Sequence, residues 1–398
     1  MVKSRLNNKV SYTETIKMQD TPGFAAMMYK IVIDGVEVII ALGDVNITNR
    51  VDVSTFLKKG LNVDHEELSI NQNDTCGNPL YIDVAWIGNK DANNLYMSTS
   101  GIHGVEGFAG SAIQLSALNK INDLPSNTAL AFIHILNPWG MSWLRRDNES
   151  NVDLNRNFLP KNENYSGSHS HYSKLDPLIN VKRVVSKNDL FRIKLLIHSI
   201  FYGKTKTKQA YAEGQYEFPK GLHFGGHQLE KGPSVFIDWL NRKISNIKKC
   251  VWVDLHTGLG APGEDSLLVD LCPSSEKYSQ LKKEIFGNRI LSLDPKAGIA
   301  YKIRGGMQKG IELLFPDINW TSITQEFGTL KGLSVISALR AENSWTHYGN
   351  YNNNNVLDHW SKKNLLEAFR PTDQQWEKRI IERGITFFNH SFQYLLND

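Results

Sequence analysis

The sequence predicts an α/β fold: a mixed, mainly parallel central sheet with helices on both faces, and a β-hairpin appended at the N-terminus. Two observations carry the main body. Apolar runs such as residues 130–136 and 251–255 are nearly continuous rather than alternating, as in strands covered on both faces. Segments of helical period, including 112–118 and 235–247, are interleaved with them. A third observation sets the N-terminus apart. Residues 29–33 and 36–40 are two β-branched runs around Asp34-Gly35, the dipeptide of a type I′ hairpin turn.

The chain has 398 residues, enough for one large domain or two ordinary ones. No internal repeat or linker divides it. The expected organisation is a catalytic domain over 51–398 with 1–50 as an appendage of unassigned role. A two-stranded ribbon is marginal alone, so it must pack on the main body or on a second subunit, and the latter would make a homo-oligomer. The net charge of +4 is spread along the chain, which argues against a nucleic-acid groove. The run Lys204-Thr205-Lys206-Thr207-Lys208 reads as a solvated loop. No apolar run is long enough to span a membrane, and the first residues lack the apolar core of a signal peptide. Three scattered cysteines argue against a disulfide framework. The expectation is a cytoplasmic protein without nucleic-acid or membrane partners. Cys250 and Cys272 fall in apolar segments and are expected to be buried.

Taken in order, residues 51–62 have the pattern of a short helix, and 81–87 alternate as a strand. Residues 94–97 end a buried strand. The glycine-rich turn 98–111 follows and leads into a helix. The strand 130–136 contains His134, best read as a core histidine. Asn137-Pro138-Trp139-Gly140 reads as a turn. Residues 143–158 are dense in anion-binding groups. Arg156, among asparagines and flanked by Leu154 and Phe158, reads as a half-buried, positioned guanidinium. Residues 159–230 are polar and irregular, with Ser168-His169-Ser170-His171 as a mobile loop, a helix over 187–201 and a folded loop over 214–226. After the helix 235–247, the strand at 251–255 runs into His256. Gly258-Leu259-Gly260-Ala261-Pro262-Gly263 formally matches a dinucleotide fingerprint, but Pro262 and the strand-like 266–271 stand where a helix must open. Residues 322–327 form a short β-type run. From Gly332 the chain is mostly helical, with a loop at 350–355 and an amphipathic helix over 375–396.

Three strands thus end in chemistry: His103 with Glu106, His256, and Glu326. In an open α/β sheet, ligands bind beyond the carboxyl ends of the strands, which brings these four residues together. Two imidazoles and a carboxylate make a three-ligand zinc site with one open position. Such a metal polarises a carbonyl and acidifies water. A further carboxylate must move the proton from that water to the leaving amine, and Glu326 fits this role.

These residues, with Asp153-Leu154-Asn155-Arg156-Asn157 and Asp254-Leu255-His256-Thr257, resemble the zinc carboxypeptidase clan, family M14. His103-Gly104-Val105-Glu106-Gly107-Phe108-Ala109-Gly110-Ser111 and Asn137-Pro138-Trp139-Gly140 are closer to the branch called domain of unknown function 2817 (DUF2817). That branch lies near the succinylglutamate desuccinylase and aspartoacylase group. The resemblance spans roughly 55–395. It implies a zinc carboxypeptidase-like fold with Zn2+ held by His103, Glu106 and His256, and Glu326 as general base and acid. Arg146, nine positions before Asn155, would stabilise the oxyanion, with its neighbour Arg145 as the other candidate. Asn155 and Arg156 would hold a substrate carboxylate. Asp153 would orient His103. Tyr301 lies where the clan's mobile tyrosine could stand.

The leading expectation is a zinc metallopeptidase of carboxypeptidase type, acting on a small molecule or short peptide with a free carboxylate. The same residues would serve an N-acyl amino-acid deacylase. A non-catalytic binding module is disfavoured because ligands and base are all present. A serine hydrolase is disfavoured because no G-x-S-x-G occurs.

Overall fold

The computed structural model describes residues 62–118, 120–293, 302–352 and 355–397, together with three strands nearer the N-terminus. Those three, β1 (Val10–Lys17), β2 (Met27–Ile33) and β3 (Val36–Leu42), form an antiparallel sheet in that order. β2 and β3 pair from Ile33↔Val36 to Met27↔Leu42, the expected hairpin. β1 enlarges the ribbon to three strands. It was hidden in the sequence by its polar Thr-Glu-Thr centre. The short helix expected at 51–62 falls on positions outside the described residues, apart from residue 62 itself.

Among the described residues, eight strands make the main sheet: β4 (Val63–Asn73), β5 (Pro79–Gly88), β6 (Asn94–Ser100), β7 (Thr128–His134), β8 (Lys249–Pro262), β9 (Asp265–Val269), β10 (Ile290–Ser292) and β11 (Asn319–Gly328). Their spatial order is β10-β9-β11-β8-β6-β7-β5-β4. The central four, β11, β8, β6 and β7, are parallel, while β5 and β9 join them antiparallel on either side. The sheet is mixed with a parallel centre, as expected. β4 was not legible because it is a polar edge strand, beginning Val-Asp-His-Glu-Glu. Charged side chains of this kind keep an edge from pairing with other chains.

The helices are α1 (Gly107–Leu118), α2 (Pro138–Ser142), α3 (Tyr172–Ile179), α4 (Phe191–Tyr202), α5 (Lys204–Ala212), α6 (Lys231–Lys243), α7 (Glu276–Leu281), α8 (Met307–Leu314), α9 (Gly332–Tyr348), α10 (Trp360–Phe369) and α11 (Gln374–Asn397). They cover both faces of the sheet. In β8, Cys250 and Trp252 join one core with Phe236 and Trp239 of α6 and Ile311 of α8. The alternate residues Val251, Val253 and Leu255 join another with Ile113 of α1 and Phe387 of α11. Successive strand residues face opposite sides, so a strand buried twice must be apolar throughout. Each such side chain stabilises the fold by about 1.5–3 kcal/mol. A third apolar cluster ties α3, α4, α9 and α10 together. No described helix is long and apolar enough to cross a membrane.

Three local expectations are corrected. Residues 137–140 do not form an isolated turn. Asn137 caps α2 by accepting the Gly140 N–H at 2.8 Å, and Pro138 stands at its first turn. The same residue types serve turns and helix starts. Residues 159–230 hold three helices, α3 to α5, and the lysine run at 204–208 lies in α5. Cys250 is buried, but Cys272 is exposed just before α7.

Candidate metal centre

His103 and Glu106 lie on a single 3-10 turn between β6 and α1. The turn packs so closely on α2 that a Cβ at Gly104 would come within 2.2 Å of the Gly140 carbonyl carbon. Only glycine fits there, and its absence of side chain fixes how deep His103 and Glu106 are set. His256 is on β8, next to β6 in the sheet. All three side chains are buried. Their ligand atoms lie within 4.8 Å of one another, and they form the one such group of three among the described residues.

The two imidazoles are oriented alike. The Nδ1 of His103 is 2.9 Å from Glu106 Oε1, and the Nδ1 of His256 is 3.2 Å from Glu106 Oε2. Each far nitrogen meets another carboxylate: His103 Nε2 lies 3.0 Å from Asp153 Oδ1, and His256 Nε2 lies 2.6 Å from Asp254 Oδ2. An ionised carboxylate only accepts. His256 Nε2 therefore donates outward, which leaves Nδ1 of a neutral ring as a lone pair facing Glu106. His103 Nε2 stands between two groups, Asp153 Oδ1, which accepts, and Arg146 Nη2, which only donates and lies 2.7 Å away. Glu106 also accepts the Thr257 N–H at 3.0 Å.

The electrostatics favour a cation at this point. Burial alone would raise Glu106 and lower His256. Instead His103 and His256 hold Glu106 far below the usual carboxylate range. Asp254 and Glu106 raise His256 well above its ordinary value. The field that retains a proton between His256 and Glu106 equally favours a metal ion there.

Glu326 is on β11, in register with His256 on β8. Its Oε1 accepts the Leu259 N–H at 3.0 Å. Burial pushes its carboxyl up to about 8, with His256 opposing the shift. Arg145 and Arg146 part company. Arg145 turns away to Glu342 at 3.1 Å and Asn151 at 2.6 Å. Arg146 reaches Asp153 at 2.5 Å, and its Nη2 lies 2.7 Å from His103 Nε2 and 3.3 Å from His103 Nδ1.

Asp153 is a hub. Besides His103 and Arg146 it meets His223 Nδ1 at 3.0 Å, and Arg156 lies 3.9 Å away. Arg156 is more buried than its sequence suggested. Its Nε and Nη2 donate to the Ala212 carbonyl, and its Nη1 to the Asn155 carbonyl. The Asn155 side chain accepts the Met307 N–H at the start of α8. Tyr301 lies outside the described residues. His134 is buried in β7, where burial lowers it to about 4, and it is not part of the group. His171 Nε2 instead lies 3.0 Å from His198 Nε2.

Two residues of the site were missed. Asp254 was legible in principle, since it stands two before His256 on one strand and so shares its face. His223 gave no signal: it is brought to Asp153 by a loop in which its own φ is +56°.

Fold and site together define an α/β protein with a candidate metal centre at the carboxyl edge of its parallel strands. The chain belongs to the DUF2817 family, described as "Protein of unknown function (DUF2817)", which matches residues 56–383. The branch indicated by the sequence motifs is thereby borne out. Among solved structures, the chain is similar to carboxypeptidase A from Helicoverpa armigera at 14% identity, covering 81% of this chain and 68% of that one, with a TM-score of 0.41. It is similar to a succinylglutamate desuccinylase from Silicibacter sp. TM1040 at 14% identity, covering 72% and 67%, with a TM-score of 0.35. It is also similar to the murein-tripeptide amidase MpaA from Escherichia coli O157 at 15% identity, covering 71% and 92%, with a TM-score of 0.35. No curated protein matches the chain.

Proposed function

We propose that this protein is a zinc-dependent hydrolase that cleaves an amide or peptide bond next to a free carboxylate. The observation that carries the reading is the convergence of two imidazole Nδ1 atoms on Glu106 while carboxylates hold both Nε2 atoms. Two nitrogens and a carboxylate oxygen suit zinc and leave a position open. A zinc ion held there supplies Lewis acidity toward a carbonyl oxygen and toward water.

The remaining work falls to the chain's own groups. Glu326, on β11 in register with His256, is placed, when ionised, to take a proton from the attacking water and return it to the leaving nitrogen. Arg146, kept charged by Asp153, Asp147 and Glu106 against the effect of burial, offers positive charge to a developing oxyanion. Three of the five N–H groups of Arg156 are taken by main-chain carbonyls. Its Nη1 also faces Asp153 at 3.9 Å, and in this reading the remaining N–H groups turn to a substrate carboxylate. Asp153 joins the two halves, since it touches His103 and Arg146 and lies beside Arg156.

The test uses zinc-loaded protein and two substrate sets, short peptides and N-acyl amino acids, each as free acid and as primary amide. Hydrolysis of free acids is expected, with a loss of about 10²-fold or more on capping. The set that is cleaved distinguishes peptidase from deacylase. Equal rates on capped and free forms would remove Arg156 from recognition, and no cleavage of either set would refute the hydrolase reading.

A further inference from the structure

Helix α4 has two apolar faces. Phe191 and Leu195 are buried in the body of the protein, and the Arg340 guanidinium lies over the Phe191 ring. The outward face carries Ile193, Leu196, Ile197, Ile200 and Phe201, exposed by 56%, 50%, 47%, 67% and 79%. Their spacing is i, i+3, i+4, i+7, i+8, a continuous stripe along one side of a helix. Leu190 extends it at 61% exposure. Contiguous apolar patches of this kind mark contact sites rather than ordinary surface.

The charge around the stripe identifies its partner. Between positions 182 and 208 eight Lys or Arg stand against one acid, Asp189, in a chain whose totals are 45 and 41. Lys194 borders the stripe, and Lys204 and Lys206 follow directly after it on α5; all three are exposed. An apolar stripe bordered by basic side chains is the pattern of a helix that lies in a lipid interface. Anionic headgroups satisfy the lysines while the acyl boundary takes the isoleucines and Phe201. We propose that α4 and the start of α5 dock this protein on an anionic lipid surface. At 12 residues α4 lies on the membrane and does not span it. This departs from the expectation, drawn from the sequence, of no membrane partner and a solvated lysine loop. The same helical unit reaches the candidate centre, because α5 ends at Ala212, whose carbonyl holds Arg156.

The full-length protein is sedimented with vesicles of phosphatidylcholine and phosphatidylserine, roughly 2:1, and with phosphatidylcholine alone. Binding to the anionic vesicles is expected, weakening as salt is raised. The double variant Lys204→Gln/Lys206→Gln should bind roughly 30-fold more weakly at low salt. Ile200→Asp/Phe201→Asp should abolish binding, and because both side chains are exposed, its melting temperature should match the wild type. The proposal is overturned if the wild type ignores anionic vesicles, if it binds neutral vesicles equally, or if the substitutions leave binding unchanged. A concentration-dependent dimer that Phe201→Asp dissociates, without vesicle binding, would assign the stripe to a second copy of the chain and overturn the proposal as well.

Discussion

Asparagine at position 254 changes few atoms and should weaken zinc binding sharply. Asp254 accepts twice: Oδ2 lies 2.6 Å from His256 Nε2, and Oδ1 accepts the Thr99 hydroxyl at 2.7 Å. Thr99 in turn accepts from the Trp252 indole at 2.9 Å, so its own proton is committed to Asp254. Asparagine has one accepting oxygen and one NH2. If the NH2 faces His256, the imidazole must move its proton to Nδ1 and lose the inward lone pair. If it faces Thr99, two donors confront each other in a buried site. Either way one hydrogen bond to a carboxylate is lost, at about 1.5–3 kcal/mol. At about 1.4 kcal/mol per decade this is roughly 10–100-fold in affinity, the range found when a group that orients a metal ligand is removed. The assay is chelator competition for zinc at fixed pH on wild type and Asp254→Asn, with a thermal melt to establish that the variant is folded. A folded variant with a zinc Kd within about twofold of wild type would refute the orientation argument.

Glu326→Gln should lower turnover by about 10²–10⁴-fold with zinc content unchanged; loss of zinc would make Glu326 a ligand. His103→Ala and His256→Ala should each reduce bound zinc from one per chain to near none by elemental analysis, and retention in both would remove the ligand set. Glu342 is buried between Arg145 and Lys362, which hold it down to about 2 although burial alone would raise it. A depressed carboxyl stabilises the fold above its unfolded value of 4.5 and loses that contribution as pH falls through about 2. Urea stability should therefore fall across that window. Glu342→Gln should flatten this part of the profile and lower stability at neutral pH by about 3 kcal/mol or more; an equally steep acid limb in the variant counts against the network. Gly305 has φ of +71°, and a Cβ there would lie 2.3 Å from the Arg156 carbonyl oxygen. Gly305→Ala should cost roughly 2 kcal/mol in denaturant melts, and an unchanged midpoint would show that this backbone yields.

The strands of the sheet centre were legible because burial on both faces leaves a continuous apolar run, and their carboxyl ends then stood out as places where His and Glu interrupt it. The ligand group was legible for the same reason, since the sheet rule brings strand ends together without any knowledge of loops. What failed to show had polar or ambiguous residues. β4 is charged because it is an edge, α2 begins with residues that also make turns, and β1 has polar residues in its middle. The direction of adjacent side chains was beyond reach as well. Nothing in Arg145-Arg146 tells which guanidinium goes to Glu342 and which to Asp153, because the local path of the backbone decides it. His223 depends on a loop closing over Asp153, and loop paths leave no periodic trace.

The parallel centre of the sheet has a consequence for how the protein is made. Strands that lie side by side in parallel need long crossovers rather than hairpins, so no neighbouring pair among β6, β8 and β11 forms from local sequence. Closing such loops precedes the contacts that reward them, which slows folding. A chain emerging from the ribosome presents His103 and Glu106 early and His256 much later, and lacks Glu326 until β11 has been made. The centre is therefore a late product of folding. Recovery of zinc binding during refolding should follow the docking of β8 beside β6, and recovery of turnover should wait for β11. Two readouts of one site would then time two steps in the assembly of the sheet.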